Sequence, residues 1–281
     1  MAIPPDFFDD LIIFSKNVEE HLKHLRKLFG VLKIAKLKLN LAKCKFFTSE
    51  CTYLGHIVSS QGLKMNPEYL EQIKNWSRPR TGKELQRFLG FSNYYRAYFP
   101  SYAKNSCTLD EHRNDKIIEW TDSLSKDWEN FINMFSNSIS KGYPQWDNPN
   151  PFIVDVDFST SYFAGILSQN QGGVERIIGI CSKKCNGAEK NYPSYKGELA
   201  CLVFVLKTFL HYLRFRNFIV RTDSISLVHY KKWQKGTING VTVRWIYFIQ
   251  SFDFTVIHRK GRDHCNADNL SRGQFLCKEH K

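Results

Sequence analysis

Residues 152–159 read Phe152-Ile153-Val154-Asp155-Val156-Asp157-Phe158-Ser159. Alternating apolar residues over this stretch predict a strand, and an acid stands at its end. Working outward, residues 162–168 and 175–182 are also β-like. A helix follows over 197–213, with Leu199, Leu202, Val203, Leu206, Phe209, Leu210 and Leu213 on one face. A strand at 218–222, helices near 224–234 and 241–251, and a strand at 253–257 complete the pattern, ahead of a short terminal helix. Acids recur at the ends of these elements or close to them: Asp157, Glu198 in Lys196-Gly197-Glu198-Leu199, Asp223 in Val220-Arg221-Thr222-Asp223, and Asp268 in Asn266-Ala267-Asp268-Asn269. Four carboxylates in one cleft would hold two divalent cations about 4 Å apart, an arrangement that clamps both oxygens of a phosphodiester displacement.

The upstream half is different. Asn17 and Glu20 have capping-box spacing ahead of Leu22, Leu25, Leu28, Phe29 and Leu32, which repeat at helical intervals. Phe7-Phe8-Asp9-Asp10-Leu11-Ile12-Ile13-Phe14 reads as a hairpin turn between two short buried strands. Residues 51–58 read as one strand entering a turn at Ser59–Gly62. Helices are predicted after Pro67 and after Thr81, where Thr81 and Glu84 again make a capping box. The aromatics Phe88, Phe91, Tyr94, Tyr95, Tyr98, Phe99 and Tyr102 fit either a base-stacking platform or a packed core stripe, and helical spacing favours the core. Residues 103–118 read as a polar linker. A helix resumes near Trp120, and Pro144, Pro149 and Pro151 mark a boundary.

The 281 residues carry 40 Lys+Arg against 27 Asp+Glu, a formal charge of +13 spread along the chain, which suits contact with polyphosphate. Eight cysteines form no framework, and no signal-peptide pattern precedes them, so reduced thiols in an intracellular, cytoplasmic protein are expected. Cys181 and Cys185 are spaced CxxxC with no second pair nearby, which argues against zinc. No uncharged apolar stretch is long enough to span a membrane.

The order of elements and acids resembles the RNase H fold, a mixed five-stranded α/β sheet with flanking helices. Asp157-Phe158-Ser159, Gly165-Ile166-Leu167-Ser168-Gln169, Glu189-Lys190-Asn191-Tyr192, His211-Tyr212-Leu213, Val220-Arg221-Thr222-Asp223 and Ala267-Asp268-Asn269-Leu270-Ser271-Arg272 resemble the RNase H domain of gypsy-type LTR-retrotransposon Pol polyproteins. Upstream, Phe7-Phe8-Asp9-Asp10 resembles the Tyr-x-Asp-Asp box of reverse transcriptase, with Phe for Tyr. Tyr53-Leu54-Gly55-His56 resembles the primer-grip region, and Phe88-Leu89-Gly90 with Asn93-Tyr94-Tyr95-Arg96 the thumb.

The resemblance implies a partial reverse-transcriptase palm over 1–66, a mostly helical thumb and connection over 67–145, an RNase H-like domain over 146–275 and a tail over 276–281. It implies that Asp157, Glu198, Asp223 and Asp268 are the catalytic metal ligands, with Asp157 bridging two Mg²⁺ or Mn²⁺ ions, and that Asp9 and Asp10 are ligands left from a polymerase site. Asp155, on the face of Asp157, takes a supporting role, and His264 reads as a surface residue. Tyr162 and Ala164 stand where relatives carry glycine, with Gly165 shifted by one. The expected activity is cleavage of the RNA strand of RNA–DNA hybrids, leaving 3′-hydroxyl and 5′-phosphate ends. Expected partners are hybrid, DNA, RNA and other Pol domains such as protease and integrase, within a virus-like particle if the element is active. Primer extension by this chain alone is not expected, because relatives carry the partner Asp of the polymerase site upstream. The competing reading is a catalytically inactive nucleic-acid-binding remnant or domesticated protein.

Overall fold

The computed structural model describes residues 10–100, 102–228 and 240–259. The chain divides between Asn66 and Pro67 into two compact units.

In the first unit, Asn17 caps α1 (Val18–Ile34) by accepting from the Glu20 amide at 2.9 Å, while Glu20 accepts in return from Lys16 N–H. Leu25 and Leu32 are buried, whereas Leu22 and Phe29 of the same stripe are exposed. A three-stranded antiparallel sheet follows, formed by β1 (Glu50–Tyr53), β2 (His56–Ser59) and β3 (Gly62–Met65). The single strand expected over 51–58 is therefore broken. Leu54 and Gly55 both take positive φ, which makes a tight two-residue turn and pairs Tyr53 with His56. The hairpin expected around Asp9–Asp10 is not found in its described part. Leu11–Phe14 pair with no strand among the described residues, and Phe14 is 83% exposed.

The second unit begins with α2 (Pro67–Lys74), α3 (Gly82–Tyr94), α4 (Tyr102–Glu111) and α5 (Asp122–Met134). Thr81 caps α3 through the Glu84 amide, but the Glu84 carboxylate turns back to Arg80 N–H and not to Thr81. Phe88, Tyr95, Tyr98, Phe99 and Tyr102 are buried, and Phe88 packs against Trp128 with ring centroids 4.7 Å apart. The aromatic run is a core stripe, with Tyr94 alone among its tyrosines exposed. The expected linker over 103–118 is largely α4. Its polar composition is compatible with a helix because the polar groups are partnered: Ala103 N–H donates to Ser182 Oγ, and Glu111 pairs with Lys184 at 3.0 Å. Ser106 and Leu109 are buried.

The sheet consists of β4 (Phe152–Phe158), β5 (Tyr162–Gln171), β6 (Val174–Lys184), β7 (Asn217–Thr222) and β8 (Asp253–His258), in the order β6-β5-β4-β7-β8. Strands β4 to β6 form an antiparallel meander, while β7 and β8 add in parallel. The crossover from β6 to β7 runs through α6 (Gly187–Lys190), α7 (Ser194–Thr208) and α8 (Leu210–Leu213). Among the described residues, α9 (Ile225–Val228) and α10 (Gly240–Gln250) then precede β8. The helix expected over 197–213 thus starts earlier and breaks at Phe209. Leu199, Leu202 and Leu206 of α7 share one buried cluster with Val154, Val156, Phe218 and Val220. This layer fixes α7 against β4 and β7.

Candidate active site

Parallel pairing of β4 with β7 brings their carboxyl-terminal ends to the same edge of the sheet, with Asp157 near the end of β4 and Asp223 immediately beyond β7. The β4–α7 junction is set by a close approach. A methyl group on Gly197 would lie 2.1 Å from the Phe158 ring, so only glycine lets that ring seat against the helix. Asp157 and Glu198 are the neighbours of these two residues. Beneath them, the buried Cys201 thiol donates to the Asp157 carbonyl at 3.2 Å. Gly165 has a similar role on β5, where a Cβ would meet Val205 of α7 at 2.4 Å. The glycine offset seen in the sequence therefore falls where the helix packs. Asp223 is held through its backbone, with His258 Nε2–H donating to its carbonyl at 3.1 Å.

Glu198 is 7% exposed, and its Oε2 has no hydrogen-bond partner. Burial pushes its pKa up to about 8, and Asp223 and then Asp157 add to the rise. Three of the four sequence-predicted acids are therefore near enough to act on one another. Asp268 and Asp9 lie outside the described residues, as does His264; Asp10 is described and exposed. Among the described residues, no three His, Cys, Asp or Glu side chains form a group that could hold a metal ion. The donors nonetheless fit a hard divalent cation in kind: they are carboxylate oxygens, one of them buried and unsatisfied beside two like charges.

Sequence reasoning missed Arg221. Its guanidinium grips Asp155 with two hydrogen bonds, Nε donating at 2.6 Å and Nη2 completing the pair, and also binds Glu175 through Nη1 at 2.9 Å. Ser168 donates to Glu175 at 2.7 Å. Burial alone would push the Glu175 carboxyl up, but the bonds from Arg221 and Ser168 hold it below the usual carboxylate range. Asp155 thus binds an arginine two residues before Asp223. The available signal was a charged residue inside each of two apolar strands, each two positions before an acid. A cleft of about 340 Å³ opens beside Asp157, with Asp155, Ala164, Ile166 and Ser182 from the sheet and Pro100 and Lys104 opposite.

Residues 147–252 match the RNase H-like domain found in reverse transcriptase, and residues 6–58 match reverse transcriptase (RNA-dependent DNA polymerase). In class the chain thus resembles a reverse-transcriptase segment followed by an RNase H-like domain. Over 274 residues the chain is 31% identical to the retrovirus-related Pol polyprotein from transposon 297 of Drosophila melanogaster, covering 95% of this chain and 25% of that protein. It is 29% identical over 271 residues to the transposon Tf2-3 polyprotein of Schizosaccharomyces pombe, covering 95% and 20%. The chain is similar to these transposon Pol polyproteins and spans a quarter or less of their length. Among solved structures, the foamy viral protease-reverse transcriptase in complex with RNA/DNA hybrid shares its fold, with a TM-score of 0.74 at 22% identity over 88% of this chain and 34% of that one. The dRH form of the same enzyme in complex with ds DNA gives 0.73 at 22% identity, covering 88% and 44%. No helix among the described residues is long and apolar enough to cross a membrane.

Proposed function

We propose that this chain cleaves the RNA strand of RNA–DNA hybrids, with Asp157, Glu198, Asp223 and Asp268 as ligands for two Mg²⁺ or Mn²⁺ ions. The observation that carries this reading is the buried Glu198 carboxyl, unsatisfied at Oε2 and raised in pKa by its acidic neighbours as well as by burial. Folding keeps such a group only at a cost, and a cation would remove that cost. When bound, the ions would supply an activated water and offset charge at the scissile phosphate.

The chain's own residues do the remainder. Phe158 and Gly197 hold β4 against α7, and Cys201 holds the Asp157 backbone, so the carboxylates are in place before substrate arrives. Glu198 keeps its proton at neutral pH and must release it to become a ligand, which ties activity to rising pH. The +13 charge supplies affinity for the phosphate backbone. Discrimination of RNA from DNA would rest on the 2′-hydroxyls in the hybrid's minor groove. We assign Asp9 and Asp10 to one side of a polymerase metal site within a longer Pol chain.

The test uses purified protein with a labelled hybrid, single-stranded RNA and duplex DNA, each in Mg²⁺ or in chelator. Cutting confined to the RNA of the hybrid, and only with Mg²⁺, is the expected result. Hybrid binding with no cleavage under any divalent metal would favour the inactive nucleic-acid-binding remnant.

A further inference from the structure

Phe215 is 93% exposed and sits at φ +61°, a left-handed backbone conformation that side chains with a Cβ rarely adopt. A large aromatic displayed in a costly conformation, with no packing in return, points to a role outside the fold. Its surroundings are consistent with one. The Arg214 guanidinium lies over the Phe215 ring at 5.0 Å, and that of Arg216 lies over the Trp146 ring at 4.8 Å. Trp146 is 44% exposed and stacks on Tyr212 at an interplanar angle of 16°. Neither guanidinium has a carboxylate partner among the described residues. Arg216 also donates to the Trp146 carbonyl at 3.0 Å, and nearby Asp253 is engaged by Asn217.

We propose that this corner binds single-stranded nucleic acid, with an unpaired base stacking on the open face of Phe215 and phosphates meeting Arg214 and Arg216. A highly exposed aromatic ring beside arginines that lack a carboxylate partner among the described residues suits a strand whose bases are available to stack; a paired duplex presents only its backbone. The site is separate from the acids. It lies at the amino-terminal ends of β4 and β7, with Phe152 paired to Phe218, while Asp157 and Asp223 lie at the opposite ends, roughly 20 Å away at 3.3 Å per residue. It would hold template or product strand away from the cutting edge.

The test compares binding of a fluorescent oligothymidylate with that of an abasic strand of equal length, by anisotropy at physiological salt, for the wild type, Phe215→Gly and Arg214→Ser/Arg216→Ser. The wild type should prefer the strand with bases. Phe215→Gly should lose about fivefold or more of that preference, since one stacked base is commonly worth that much or more. Its melting temperature should stay level or rise, because glycine accepts this φ without strain. The double serine variant should weaken binding of both strands. Equal affinity of the wild type for the two strands, or an unchanged preference in a folded Phe215→Gly protein, would overturn the proposal.

Discussion

Asp155 and Arg221 face each other across the last paired rung between β4 and β7, and the guanidinium closes on the carboxylate through two hydrogen bonds. Beyond this rung the strands carry Asp157 and Asp223, whose like charges favour separation. A buried ion pair at the end of the ladder pins both strands one pleat before those acids. Arg221→Met would leave the buried Asp155 and the half-buried Glu175 without their cation. We expect a loss of about 3–5 kcal/mol in urea unfolding, the usual result of breaking a buried pair from one side. Arg221→Lys should lose less, because it keeps the charge but not the planar fork. A loss below about 1 kcal/mol for Arg221→Met would contradict the clamp.

Glu198 makes stability depend on pH in a defined direction. Its carboxyl titrates near 4.5 in the unfolded chain and at about 8 in the fold. Between these values the unfolded chain has released a proton that the native protein retains, so native stability falls as pH rises through the window and levels off above it. Glu198→Gln removes the titration. The variant should match the wild type near pH 4 and exceed it by a few kcal/mol above pH 8, because each tenfold change in proton affinity between the two states is worth about 1.4 kcal/mol. Added Mg²⁺ should narrow the gap by stabilising the wild type alone. Parallel stability profiles for the two proteins from pH 4 to 9 would count against the buried acid.

Gly197→Ala tests the junction of β4 with α7. The new methyl would overlap Phe158, and overpacking of this kind costs about 1–3 kcal/mol. Cleavage should fall further than stability alone explains, since Glu198 and Asp157 flank the contact. Phe158→Leu should partly restore both in the double variant, measured as a coupling energy in a thermodynamic cycle. Strictly additive effects would show that the two residues do not meet.

The sheet and the positions of Asp157, Glu198 and Asp223 were legible because β4 and β7 are largely apolar runs whose charges pair or stand at the strand ends, and α7 carries an unbroken apolar face; Asp268 lies outside the described residues. Other features were hidden for physical reasons. The segment after Tyr102 is polar, yet it folds as a helix because its polar groups find partners on β6, a contact that no local pattern announces. Leu54-Gly55 adopts two positive φ angles, where leucine gives no warning. Arg221 lies 66 positions from Asp155, and only the parallel register brings them opposite.

Hybrid affinity should fall steeply with salt. The chain's 40 Lys+Arg outnumber its acids, and each neutralised phosphate adds about 0.9 to the magnitude of the log–log slope on duplex DNA. A slope magnitude of several units between about 50 and 200 mM salt is expected from fluorescence anisotropy. A flat response would mean that the basic surface does not contact phosphate.

Asp157→Asn provides the most direct measurement. Wild type and variant are assayed side by side on the same labelled RNA–DNA hybrid, with binding and cleavage followed across a Mg²⁺ titration. Losing a charge at a bridging position should reduce cleavage by at least about a hundredfold at any Mg²⁺ concentration, while hybrid affinity stays within about threefold, because binding rests on lysine and arginine. Undiminished cleavage by the Asn variant would contradict the assignment of Asp157 and the metal-dependent reading built on it.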